Sequence, residues 1–144
     1  MPVRRLPAVR KTIQRNNLFL QAVELPVVMN LNPRSIYNKS EDFCLLLEQY
    51  AVDCVCMSES WEREDLSLSE LLNLENYQII SNVKQREFKG GKPAIFLRSD
   101  KYNVKPLCPN PITVPIGVEA VWAMITPKVR NPRNKVKHIA VCSI

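Results

Sequence analysis

Between Leu25 and Ser58 the sequence reads as strand, helix, strand, and this alternation restricts the fold more than any other feature of the chain. Leu25 to Asn32 contains the apolar run Val27, Val28, Met29 and Leu31, too short for a helix and suited to a buried strand. Pro33 has no N–H to give a central ladder, so the chain must turn there. Asn38 followed by Glu41 has the spacing of a capping box, with Ser40 as the alternative cap. Phe43, Leu46, Leu47 and Tyr50 then recur at helical spacing and predict one apolar stripe. Residues 51–58 form a second apolar strand. Two strands joined by a helix in about thirty residues make a βαβ unit, so the strands are expected to be parallel with a right-handed crossover.

The second half changes character. Leu68, Leu71 and Leu72 predict a short helix, and Tyr77 to Ser81 a strand. A basic loop, Lys84 to Lys92, carries Gly90-Gly91 as hairpin punctuation. Strands are predicted again at Ala94–Arg98, Val118–Thr126 and Lys137–Ile144, separated by proline-rich turns. Without intervening helices the sheet is expected to become antiparallel here. The fold class is therefore α/β, a mixed sheet built on an initial βαβ unit.

A chain of 144 residues suits one domain, since domains most often run to about 100–150 residues. Its 46% hydrophobic and 24% charged residues are those of an ordinary globular protein and exclude wholesale disorder. The longest apolar runs, such as Phe43 to Leu47, fall far below the roughly 20 residues of a membrane span. Five cysteines without a C-x-x-C pair point to reduced thiols and an intracellular setting. Cys54 and Cys56, two apart in a strand, should share a face and be buried. Residues 1–25 read as a basic arm carrying Arg4, Arg5, Arg10, Lys11 and Arg15, expected to be disordered, and residues 26–144 as the folded part.

The net charge of +6 hides a pattern: residues 1–39 are net basic, residues 40–77 carry ten acidic residues and one basic, and residues 78–144 are again basic. Basic surface of this kind favours a polyanion such as DNA, bound without regard to sequence. A basic domain with one solvated acidic helix fits the same numbers.

Ligands in open α/β sheets gather beyond the carboxyl ends of the parallel strands. Asn32 closes the first predicted strand and Glu59 follows the second. An amide oxygen and a carboxylate are hard donors, appropriate to a Mg²⁺ ion that keeps several waters. Judged on position alone, Asn32 as a turn cap and Glu59 as a residue of a solvated loop is the better reading. Arg34 and Lys39 are candidate phosphate contacts, and Trp61 either rims the cleft or packs half-buried. Glu119, at the head of Glu119-Ala-Val-Trp-Ala-Met124, suits a turn contact, and His138 has no carboxylate near it in sequence.

Three stretches together carry a resemblance: Asn30-Leu-Asn-Pro-Arg-Ser-Ile-Tyr-Asn-Lys39, Asp53-Cys-Val-Cys-Met-Ser-Glu-Ser-Trp61 and Gly90-Gly-Lys-Pro-Ala-Ile-Phe-Leu-Arg98. Over residues 27–144 the chain resembles the amino-terminal half of the endonuclease/exonuclease/phosphatase domain, in the form found in non-LTR retrotransposon polyproteins. The resemblance implies a partial α/β sandwich of two packed sheets, Mg²⁺-dependent nicking of target DNA and a nuclear setting. It implies that Asn32 is the active-site Asn of that family and Glu59 its Mg²⁺-binding Glu. The family's later Tyr turn, Asp-x-Asn and Ser-Asp-His motifs have no counterpart here, and Pro93 departs from its glycine-rich pattern. The expectation is thus a fragment with weak or vestigial Mg²⁺ binding and little activity, and with self-association through an uncovered sheet. A basic nucleic-acid-binding or interaction protein that reuses the half-fold is the alternative, and phosphatase chemistry the third.

Overall fold

The computed structural model describes residues 25–81, 91–108, 113, 115, 117–130, 132 and 137–144. The arm up to residue 24 and the basic loop from Lys84 to Gly90 lie outside the described residues. The elements are β1 (Val28–Leu31), α1 (Ser40–Gln49), β2 (Cys54–Met57), α2 (Leu68–Leu72), β3 (Tyr77–Ser81), β4 (Ala94–Arg98), β5 (Tyr102–Pro106), β6 (Val121–Pro127) and β7 (Ile139–Ser143). They build a mixed α/β fold with two sheets, one of order β1-β2-β4-β3 and one of order β5-β6-β7. β1 and β2 are parallel, in the register Val28 to Cys54 through Leu31 to Met57. Every other pairing is antiparallel.

Period-two alternation sorts the first sheet into two faces. Met29, Val55, Phe96 and Ile79 form one cross-strand row on the helix side. There they meet Phe43 and Leu47 of α1 and Leu68 and Leu72 of α2. Cys54, Ile95 and Leu97 point the other way, into a second core with Tyr102, Ala123, Ile125 and Val141 of the second sheet. The layers are therefore helices, mixed sheet, antiparallel sheet. Cys54 is buried and Cys56 half-buried on the same face, as their spacing predicts. A hydrogen bond with Cys56, together with burial, pushes the Cys54 thiol up, while the same hydrogen bond draws the Cys56 thiol down against its own burial.

Local chemistry explains the short elements and corrects two expectations. α2 starts with a capping box in which Ser67 and Glu70 satisfy each other's backbone N–H. α1 has no such device: its N-cap is Lys39, without a side-chain cap, so the Asn38–Glu41 spacing forms no box. Tyr50 ends α1 exposed, leaving Phe43 and Leu47 as the buried stripe with Leu46 half-buried. The observed β1, β2, β6 and β7 are also shorter than the runs that predict them.

At the end of β4, Arg98 pairs with Asp100 at 2.5 Å and lies over the Tyr77 ring. The guanidinium holds the Asp100 carboxyl down to about 2. A carboxyl depressed in the folded state stabilises above its unfolded pKa of about 3.9, and that contribution fades as pH falls through about 2. Urea midpoints between pH 5 and pH 2 should therefore fall less steeply in Asp100→Asn than in the parent chain. The pair is partly exposed, so the difference should be small.

Candidate metal and phosphate site

The parallel pairing of β1 and β2 decides where Asn32 and Glu59 go. Leu31 and Met57 are in register, and the Ser58 N–H still reaches the Leu31 carbonyl at 3.1 Å, so both chains leave the sheet at one edge. Beyond that edge the Asn32 amide nitrogen donates to Glu59 Oε1 at 3.1 Å. The Asn32 oxygen in turn accepts the Arg34 N–H at 3.1 Å. Asn32 thus bridges the Glu59 carboxylate and the turn that follows β1, donating to the one and accepting from the other.

Backbone hydrogen bonds hold this arrangement. Pro33 is buried and ends β1, and positive φ at Arg34 (48°) and Ser35 (82°) reverses the chain. Ser35 N–H then donates to the Glu59 carbonyl at 2.9 Å and Ile36 N–H to that of Ser60 at 3.3 Å. Ile36, fully buried, anchors the turn in the core. The Lys39 ammonium donates to the carbonyls of Pro33 and Ser35, so it staples the turn and is occupied by it. Arg34, whose backbone N–H donates to the Asn32 oxygen, has an exposed side chain.

A third segment joins from the front of β4. Ser60 Oγ donates to the Lys92 carbonyl at 2.6 Å, and Trp61 N–H to the Gly91 carbonyl at 3.0 Å. Lys92 Nζ returns to the Glu62 carbonyl at 2.6 Å, while Glu62 Oε1 accepts the Leu68 N–H at 3.1 Å. The three sequence stretches singled out above thus converge on one rim, apart from Gly90, which lies outside the described residues. Trp61, at φ 57°, is 47% exposed on that rim and is not a half-buried packing residue. Behind the site, Ser143 Oγ of β7 donates to the Met57 carbonyl at 2.8 Å and ties the second sheet to the first.

The supporting residues Ser60, Glu62 and Lys92 are missing from the sequence reading. Ser60 stands inside a quoted motif, but its partner is a carbonyl 32 residues away, which no local pattern reveals. His138 sits at the other end of β7, with Nδ1 2.8 Å from Thr126 Oγ1, and takes no part in the site. Glu119 is half-buried just before β6. A depression of about 290 Å³ opens on the helix side of Asn32, between Pro33, Lys39 and Phe43, and does not include Glu59.

Among the described residues no cluster of three or more His, Cys, Asp and Glu side chains could hold a metal. One carboxylate nevertheless fits Mg²⁺, which keeps most of its waters and is commonly held by one or two carboxylates plus substrate phosphate. No helix among the described residues is long and apolar enough to cross a membrane. Comparisons of the chain with protein-family models, with curated proteins and with solved structures found no match.

Proposed function

We propose that this chain is part of a Mg²⁺-dependent phosphodiesterase of the endonuclease/exonuclease/phosphatase type, with DNA as its substrate class. The observation that carries this reading is the Asn32–Glu59 pair, held at 3.1 Å beyond the carboxyl ends of two parallel strands. Glu59 would hold the ion, and Asn32 keeps one of its oxygens in place. A Mg²⁺ ion bound there supplies positive charge that polarises a phosphate. Arg34 offers a second positive charge to the same phosphate, and Trp61 offers a flat face on which a base can stack. Lys39 acts indirectly, by fixing the turn that carries Asn32 and Arg34.

Cleavage also needs an oriented water and a proton acceptor, and general acid–base catalysis contributes about 10²–10⁴-fold. Among the described residues the only histidine, His138, lies at the far end of β7. Asn32 and Glu59 therefore provide ion binding and phosphate positioning, and this chain alone should not nick DNA. Paramagnetic broadening by Mn²⁺ should be centred on Glu59 and lost in Glu59→Gln, and a plasmid-relaxation assay with Mg²⁺ should give no open circle. Broadening that persists in Glu59→Gln would remove Glu59 as the ligand. Nicking that disappears in Glu59→Ala would reveal a catalytic set beyond these two residues.

The charge pattern favours a second reading, in which the chain binds nucleic acid through basic surface and performs no chemistry. Binding to DNA that is indifferent to both Mg²⁺ and Glu59 would select it.

A further inference from the structure

Trp61 stands in a conformation that bulky side chains rarely adopt, the left-handed region at φ 57°, and it belongs to neither hydrophobic core. Three hydrogen bonds hold the backbone there. Trp61 N–H donates to the Gly91 carbonyl at 3.0 Å, and Ser60 donates to the Lys92 carbonyl through its N–H at 3.2 Å and its Oγ at 2.6 Å. Among the described residues six non-glycine positions have positive φ, and four of them, Arg34, Ser35, Trp61 and Lys92, lie on this one rim. Strain of this kind gathers at ligand-binding sites. The indole itself is uncommitted: among the described residues it meets no aromatic ring and no guanidinium. Tyr37 is different, since the Arg63 guanidinium covers its ring at 5.4 Å and its hydroxyl bonds the Leu66 carbonyl and the Arg63 N–H.

We propose that Trp61 selects the DNA this site takes: a phosphodiester beside an unpaired base, whose face stacks on the indole. The inference rests on the reading of this rim as the place where the phosphate of DNA sits, and the opening that admits DNA to Glu59 admits it to Trp61. Two residues span at most about 7 Å of backbone, so a phosphate at Glu59 and a base at Trp61 belong to one nucleotide or to neighbours. A base inside a duplex has both faces covered by the bases above and below it. A ring on the rim therefore gains contact only with a base that has left the stack or was never in one. Stacking accepts every base, since each has a π-face, so the selection is for unpaired structure and not for sequence. Basic surface pulls the other way. A duplex releases more counterions per phosphate than a single strand, with slopes of about −0.9 and −0.7 in log K against log salt. Charge alone favours paired DNA, and a preference for unpaired DNA is the mark of the ring.

The test uses the full chain in EDTA and three fluorescein-labelled DNA probes: a thymidine single strand, a paired duplex of the same length, and that duplex with one unpaired base. At about 200 mM salt, where the contribution of charge is reduced, the single strand and the bulged duplex should bind about tenfold more tightly than the paired duplex. Trp61→Leu should remove that advantage, and Trp61→Phe should keep most of it. In the parent chain the single strand should also quench indole emission. The quenching should vanish in Trp61→Phe, where Trp122 is the one tryptophan left. Equal binding of the three probes, an undiminished preference in Trp61→Leu, or emission that the single strand leaves unchanged would overturn the proposal. So would a dimer that Trp61→Leu dissociates, which would assign the ring to a second copy. Working in EDTA separates this result from the binding of Mn²⁺ at Glu59. No preference, with broadening at Glu59 intact, sinks the selection by Trp61 alone; a preference without that broadening upholds the selection and removes the ion.

Discussion

Phe96→Ala is expected to cost about 3–5 kcal/mol, a large fraction of the roughly 5–15 kcal/mol by which a domain is stable. Phe96 is fully buried in β4, between Val55 and Ile79 in the cross-strand row that the helices cover. Its ring meets Phe43 edge-on, with centroids 5.2 Å apart at 63°, an arrangement that contributes beyond area alone. Truncation would remove the contact through which α1 is seated on the sheet and leave a cavity among rigid strands. Urea unfolding measures the loss, with Leu45→Ala as the control on the exposed side of α1, where the change should stay within about 0.5 kcal/mol. A loss below about 1 kcal/mol in Phe96→Ala would mean that the helix layer is held mainly by something other than this pair.

The second large effect concerns salt. If binding to DNA is electrostatic, each neutralised phosphate releases counterions, and log K falls with log salt with a slope of about −0.9 per phosphate. Arg4, Arg5, Arg10, Lys11 and Arg15 would neutralise five phosphates between them. A fourfold rise in salt, from 50 to 200 mM, should then weaken binding on the order of 500-fold. Removing these five charges by substitution with Gln should flatten the slope close to zero if the arm carries the contacts. Fluorescence titration of a random-sequence duplex measures both quantities. Affinity that is insensitive to salt would rule out the polyanion reading, and a slope unchanged by the substitutions would move the contacts to the folded part.

Where apolar residues dominate a strand, whether buried on both faces as in β4 or half-buried as in β3, the sequence announces it. Tyr77–Ser81 and Ala94–Arg98 are predicted and observed with the same bounds, and the parallel β1–β2 pair follows from the helix between them. β5 goes unpredicted, because Tyr102-Asn-Val-Lys-Pro106 offers two apolar residues among polar ones and ends in proline. It is an edge strand with one wet face, and pairing with β6 rather than its own composition makes it a strand. At the site, Asn32 and Glu59 are legible because strand ends can be counted along the chain. The occupied ammonium of Lys39 is not legible, since its carbonyl partners are fixed only by the positive-φ turn at Arg34 and Ser35. Nor is the seating of Ser60 on Lys92, which needs β4 to lie beside β2.

The Ser143–Met57 hydrogen bond also imposes an order in time. Its partners are 86 residues apart, and closing so long a loop comes at an entropic cost that nearby contacts avoid. β1, α1 and β2 can assemble from neighbours in sequence, whereas β7 reaches the back of β2 only after the intervening strands are placed. Docking of β7 is therefore expected to come late, with the Met57 carbonyl, two residues before Glu59, facing water until then. The rim around Glu59 acquires its rigid backing in the final docking step, so the slowest refolding phase should be visible in probes near Glu59 and β7 and absent from probes in the helices.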